Sequence, residues 1–393
     1  MVKIGNRTVN VRPLIGSPFG SIFAIDKNTL KPTDLTDEQL KELFATKGIE
    51  GGDSDEMKDN RFIVDDGKSQ KLSKDDIETL KEEGLSGKEI IETLVENSSS
   101  FKSRTQFSQE KYLKKKHLKY SNFVRVYEPN PALLMEMYYA QNPFKTNYLR
   151  IDTLSQMLAH CNVQSGSKYM VVDTGMGIVT AAVVERLVGN GDLVSAGLFP
   201  GVCVQVIAEQ GPVTTWRQSV DALNLSPQAL ESCLCSLQIN KVRSILHDNE
   251  KQIMEDKNDE SDTKEGVCES KRQKLDEKSE RKAKRMREEE IARNIMREKS
   301  MDGLLIVTRQ HDPKNLMNLL IQFLAPSRPL AIFCCFMEPL VQCYQSLKDK
   351  AVFARISETW LRRFQVLPGR TRPDVNMSSS GGYLLTAIKV NSD

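Results

Sequence analysis

The hydrophobic and polar positions of the chain change period along its length. Residues 2–25 alternate as strands do. Lys3-Ile4, a Gly5-Asn6 turn and Arg7–Val11 predict a hairpin with Val9 and Val11 on one face; Gly16-Ser17-Pro18 marks a turn and Ser21–Ile25 a further strand. Three short strands bury too little to stand alone, so either further chain precedes Met1 or another surface completes this sheet. Helical spacing follows. Ser73-x-x-Asp76 and Ser86-x-x-Glu89 have the form of capping boxes, the second leading into Ile90, Ile91, Leu94 and Val95. A third helix is predicted over Thr105–Tyr120, a strand over Phe123–Tyr127 and a helix over Pro131–Ala140. Ile151, Leu154, Met157, Leu158 and Cys161 form one stripe of an amphipathic helix. From Lys168 the pattern alternates strand with helix: Tyr169–Asp173, Thr180–Val188 and Leu193–Ala196, then strands Gly303–Thr308, Leu330–Cys335 and Ala351–Ile356 with helices near Leu316–Leu324 and Glu338–Leu347. This alternation predicts an α/β fold, a mostly parallel sheet covered by helices on both faces.

One stretch breaks the pattern. Residues 248–300 hold 16 acidic and 15 basic residues and no aromatic one, so they are expected to form a disordered charged insertion, with a solvated helix over Lys278–Lys299. The other 340 residues suffice for two domains. No apolar run approaches the ~20 residues that span a bilayer, and the first residues lack a signal-peptide core. Eight dispersed cysteines without a CxxC pair, and four histidines, argue against a disulfide framework or a zinc site and for a reducing compartment. Cys233, Cys235, Cys334 and Cys335 read as small core residues. Gly67-Lys68-Ser69 is no P-loop, because Phe62 stands where the first glycine belongs.

The best-defined motif is Asp173-Thr174-Gly175-Met176-Gly177-Ile178-Val179, between a strand and a helix. In a doubly wound fold such a turn brings backbone close to a nucleotide-containing ligand at the helix N-terminus. The S-adenosylmethionine-dependent methyltransferase pattern, an acid followed by Gly-x-Gly-x-Gly, stands here except that Val179 replaces the third glycine. An acid is also expected after the next strand, to bind ribose hydroxyls; that point is read as Gly197, with Asp192 at the wrong end. At the end of strand 303–308, where enzymes acting on ring nitrogens carry Asp or Asn, stand Thr308 and Arg309. The expectation is a degenerate site at Asp173, Gly175, Gly177 and Gly197, and no cofactor in this chain.

A formal net charge of +2, from 55 basic and 53 acidic residues, seems to exclude a polyanionic partner, but it averages unlike parts. Residues 101–120 hold seven Lys or Arg against Glu110 alone. Lys111, Lys115 and Lys119 share one helical face, Lys114 and Lys116 flank it, and Tyr112, Leu113, His117, Leu118 and Tyr120 supply the buried side. Like charges at i+4 repel, and a bound polyanion relieves the repulsion. Arg362, Arg363, Arg370 and Arg372 form a second basic group, the last two expected in a loop beside Pro368, Gly369 and Pro373. Lys271-Arg272 and Arg281-Lys282-Ala283-Lys284-Arg285 have the spacing of a bipartite nuclear import signal.

Several blocks together resemble a known family. Asn60-Arg61-x-Ile63-x-Asp65-Asp66-Gly67-Lys68-Ser69-Gln70-x-Leu72 is similar to a signature of the non-catalytic subunit of eukaryotic tRNA (adenine-58-N1) methyltransferase. So are the lysines at 114–116, the segments 357–362 and 365–368, Arg370-Thr371-Arg372-Pro373 and Ser380-Gly381-Gly382-Tyr383-Leu384. The resemblance implies a small, truncated β-barrel-like domain over residues 1–65, a helical connector over 66–121, and a Rossmann-like class I methyltransferase domain over 122–393 interrupted by 248–300. It implies a heterotetramer, two copies each of this chain and a catalytic subunit holding S-adenosylmethionine, acting on tRNA in the nucleus without contact to a membrane. Lys111, Lys114, Lys115, Lys116, Lys119, Arg362, Arg370 and Arg372 are the residues expected to hold RNA; no catalytic or metal-binding residue is expected. Two other readings stay open: an active methyltransferase with an atypical pocket, and an assembly scaffold without RNA contact.

Overall fold

A computed structural model describes residues 1–4, 7–26, 28–34, 69–82, 85, 87–120, 123–189, 201–209, 214–247, 269–367, 370–375, 377 and 381–391. The chain divides into two compact units, Met1–Glu128 and Pro129–Asp393.

In the first unit the alternation at the N-terminus becomes two small antiparallel sheets. Strands β1 (Val2–Ile4) and β2 (Arg7–Val9) pair with Val2 opposite Val9. Strands β3 (Ile22–Asp26), β4 (Thr29–Thr33) and β5 (Phe123–Arg125) form the other, β3 in the middle. Their apolar faces meet in one small cluster of Val9, Phe23, Ile25 and Leu30. The pairing of β5 with β3 moves the domain boundary: residues 123–128 close the edge of the first unit instead of opening the second, where the boundary at 121/122 was expected.

Among the described residues, three helices follow β4, namely α1 (Lys74–Glu82), α2 (Gly87–Glu96) and α3 (Gln106–Tyr120). The Ser73 box closes reciprocally: the Ser73 amide donates to Asp76 Oδ2 at 2.8 Å and the Asp76 amide to Ser73 Oγ at 3.1 Å. These bonds hold the Asp76 carboxyl below its ordinary pKa. The box predicted at Ser86 falls partly outside the described residues. Ile90, Ile91, Leu94, Phe101, Leu113 and Tyr120 form the helices' shared core.

The second unit begins with α4 (Pro131–Gln141), whose Asn130 side chain accepts from the Leu133 amide at 2.9 Å ahead of Pro131. A 3₁₀ turn, Pro143–Thr146, leads to α5 (Ile151–His160). The sheet then builds as β6 (Lys168–Asp173), α6 (Ile178–Val188), β7 (Val202–Ile207), α7 (Arg217–Ala222), α8 (Pro227–Cys233), β8 (Leu234–Gln238) and α9 (Ile239–His247). After α10 (Glu269–Arg297) come β9 (Gly303–Val307), α11 (Pro313–Leu320), β10 (Pro329–Cys334), α12 (Met337–Ser346) and β11 (Ala351–Glu358). A hairpin of β12 (Phe364–Leu367) and β13 (Arg370–Pro373) precedes β14 (Tyr383–Lys389).

Seven strands form one sheet in the order β11-β14-β10-β9-β6-β7-β8, with β14 antiparallel to both neighbours and the other observed pairings parallel. This is the Rossmann-like arrangement of the class I methyltransferase fold. The central strands are apolar throughout because both faces are covered. Tyr169, Val171, Leu305 and Val307 belong to the core on one face, and Met170, Val172, Leu304 and Ile306 to the core on the other. Each such fully buried aliphatic side chain contributes roughly 1.5–3 kcal/mol.

Two expectations are corrected, and a third lies on residues outside those described. The predicted strand Leu193–Ala196 lies outside the described residues, and the described strand after α6 is β7 at 202–207. Arg370 and Arg372 stand on strand β13, not in a loop, because Phe364–Leu367 pairs antiparallel with it. The charged segment is not a wholly disordered insertion. It is helical from Glu269 to Arg297, and its last turns bury Ala292 and Met296 in the sheet's core while Glu289 pairs with Lys241 and Glu298 with Lys168. Residues 248–268 of that expectation lie outside the described residues.

Candidate functional site

The glycine turn between β6 and α6 is built as a doubly wound fold requires. Asp173 is buried at the end of β6; its carboxylate accepts from the Gly175 amide at 2.9 Å and the Val179 amide at 2.8 Å. Burial raises its pKa, opposed by these amide donors and that of Thr180. The acid thus shapes the turn and starts the helix. Gly177 caps α6 with φ +76°, a conformation that side chains rarely adopt.

The space in front of the turn is taken by the chain itself. A Cβ on Gly177 would lie 1.5 Å from the carbonyl oxygen of Trp216, and one on Gly175 would lie 2.7 Å from that of Lys145. The Met176 amide donates to the Lys145 carbonyl at 3.1 Å, while the Met176 carbonyl accepts from the Ser219 amide at 3.1 Å and the Ser219 hydroxyl at 2.7 Å. Both the amide and the carbonyl of Met176, in the middle of the turn, are therefore used internally. As arranged, the turn does not fit a nucleotide-containing cofactor.

The carboxylate expected after the next strand was sought in the wrong place. Gly197 lies outside the described residues, and β7 leads instead into Ala208 and Glu209. Glu209 stands half-buried, its Oε1 3.9 Å from Nε2 of His311. An acid thus does follow the strand after α6, and it is the turn that is filled.

Beyond β9, the Thr308 side chain is buried and its hydroxyl accepts from the His311 amide at 3.1 Å. The guanidinium carbon of Arg309 lies 4.3 Å from the Phe144 ring centroid and 5.4 Å from that of Tyr148. A cation stacked between two rings occupies the position where Asp or Asn would serve chemistry on a base.

The basic residues fall into separate units. On α3, Leu113 and Tyr120 are buried, Tyr112 half-buried, and Lys111 and Lys115 exposed. Burial raises the Tyr112 pKa. Lys116 lies over the Tyr112 ring at 5.0 Å and the Tyr120 ring at 5.9 Å, drawn toward the apolar side. Lys114 and Lys119 lie on the same helix. In the second unit, Arg362 is exposed and stacks on Trp360 at 4.3 Å, Arg363 pairs with Glu136 at 3.2 Å, and Arg372 is exposed on β13. Among the described residues no group of three His, Cys, Asp or Glu side chains is placed to hold a metal, and no described helix is long and apolar enough to cross a membrane.

Residues 1–265 match the Gcd10p family. Over 96% of its length the chain is 36% identical to the mouse tRNA (adenine(58)-N(1))-methyltransferase non-catalytic subunit TRM6, of which it covers 81%. It is 32% identical over 99% of its length to the Dictyostelium discoideum non-catalytic subunit trm6, covering 74% of that protein. The chain belongs to the Gcd10p family.

As a member it is a non-catalytic subunit, in keeping with a glycine turn filled by its own backbone. Among solved structures it is similar to the Aquifex aeolicus tRNA (m1A58) methyltransferase TrmI, with 11% identity, a TM-score of 0.42 and coverage of 69% of this chain and 79% of that one. Sequence reasoning did not single out Phe144, Tyr148 or Trp216. The run Asn142-Pro143-Phe144-Lys145-Thr146-Asn147-Tyr148, aromatic residues between turn formers, carried the available signal.

Proposed function

We propose that this chain is the tRNA-gripping subunit of a tRNA (adenine-58-N1)-methyltransferase, positioning tRNA while a catalytic partner holds S-adenosylmethionine and transfers the methyl group. The chain itself holds no cofactor, and the assembly contains two copies of each subunit. The closed glycine turn carries this reading: the Trp216 carbonyl lies against Gly177, where a Cβ would stand. The charge on α3 supports the grip, since Lys111 and Lys115 are exposed one helical turn apart. The target N1 lies on the Watson–Crick edge, so the adenine must leave its pairing, and a second subunit that holds the surrounding backbone makes that extrusion productive.

The test is the Lys111→Glu/Lys115→Glu double variant, co-purified with the catalytic subunit and titrated with tRNA between 50 and 200 mM salt. Each phosphate contact contributes about 0.7–0.9 to the slope of log K against log salt, so the slope falls by about 1.4–1.8 and affinity by about tenfold or more. An unchanged slope and affinity would remove α3 from the RNA interface.

A further inference from the structure

The turn that closes the glycine motif also builds a surface. After Pro143–Thr146, Asn147 and Tyr148 follow one another in the left-handed region at φ +53° and +62°. Asparagine tolerates that region; tyrosine does so rarely, and two successive residues held there mark a conformation the surroundings impose.

Those surroundings are specific. Asn147 is buried, its Nδ2 donates to Thr174 Oγ1 at 3.1 Å, and its carbonyl accepts from Cys335 Sγ at 3.1 Å. The Tyr148 amide donates to the Pro143 carbonyl at 2.8 Å, and the Met176 amide to Lys145. Gly175 has no side chain to obstruct the Lys145 carbonyl or the Asn147 amide. The glycine motif thus seats a strained turn.

What the turn presents is Phe144, 46% exposed, and Tyr148, 40% exposed, with Arg309 stacked on both rings. No ion pair holds Arg309 among the described residues. Lys145 adds a second cation, over the Tyr138 ring at 5.8 Å, and no carboxylate belongs to the cluster. The cluster sits beyond the C-terminal end of β9, beside the β6–α6 turn, on the edge where open α/β sheets take ligands. Exposed rings combined with a guanidinium and without an acid match an unpaired nucleobase and its phosphate better than an apolar peptide, which would leave the cation without a partner.

We propose that Phe144, Tyr148 and Arg309 form a fixed stacking platform for an unpaired nucleobase of the tRNA. The proposal rests on the tRNA-gripping reading and adds a base contact to the backbone contacts of α3. In the complex with the catalytic subunit, Phe144→Leu/Tyr148→Leu and, separately, Arg309→Lys are titrated with unmodified tRNA, with melting midpoints recorded. Affinity is expected to fall about 5–100-fold with the salt slope unchanged, since stacking is lost and charge kept. Ultraviolet crosslinking of the parent complex should leave a nucleotide adduct on the peptide containing residues 143–148.

Affinity within twofold of the parent for both variants, with no adduct, overturns the platform. So does loss of co-purification with the catalytic subunit, which would make this a protein contact. If these variants bind normally while Lys111→Glu/Lys115→Glu does not, only the platform fails; if none of the variants weakens binding, the gripping reading fails with it.

Discussion

At Gly177 only a hydrogen fits between the turn and the Trp216 carbonyl. With φ +76° and the Trp216 carbonyl in the place of any Cβ, an alanine would meet both backbone strain and a backbone clash. Gly177→Ala should destabilise the chain by more than about 2 kcal/mol, read as a clear drop in the urea or thermal midpoint. Gly16→Ala is the control: φ is +82° there too, but the space is open, so strain alone acts and the loss should be smaller. Equal losses would mean that the Trp216 carbonyl does not press on the turn. The motif itself was legible in the sequence, from Asp173 through Gly177. Its filling was not, because Lys145 and Trp216 reach it from about 30 and 40 residues away in the chain and bind through backbone atoms, which every residue carries.

Elements with a period were readable, and those defined by distant packing were not. The Ser73 box and the helix at 151–160 emerged as expected because caps and stripes are local. Strand β7, at 202–207, was not expected, nor was Glu209 beyond it, because a fully buried strand lacks alternation to mark its bounds. The later part of helix α10 was expected, over 278–299, but as a solvated helix; its charge count hid the anchor in its last turns, where Ala292 and Met296 are buried in the core. The basic clusters 271–272 and 281–285 lie ahead of that anchor on the same helix. We propose that they serve nuclear import. Alanine at Lys271, Arg272, Arg281 and Lys282 together should abolish nuclear accumulation of a fluorescent fusion while leaving the melting midpoint in place. Accumulation equal to the parent's would exclude these residues as the import signal.

For the whole molecule, a net charge of +2 was a poor guide, since the nearly balanced segment 248–300 and the strongly basic stretch 101–120 enter the same sum. The α/β class and the family were both within reach of the sequence, the first from alternating strands and helices, the second from the blocks around Asn60 and Trp360; the insertion of β14 antiparallel between β10 and β11 was not. What the sequence could not convey is that the fold's ligand edge has been rebuilt, with Asp173 and Gly177 kept as structural parts and Arg309 stacked on Phe144 and Tyr148. This chain keeps the methyltransferase sheet while its own backbone closes the glycine turn. Calorimetric titration of the purified complex with S-adenosylmethionine shows whether that turn takes up the cofactor. One equivalent bound per pair of subunits, unaltered by Asp173→Asn in this chain, is the predicted result; two equivalents per pair would contradict it.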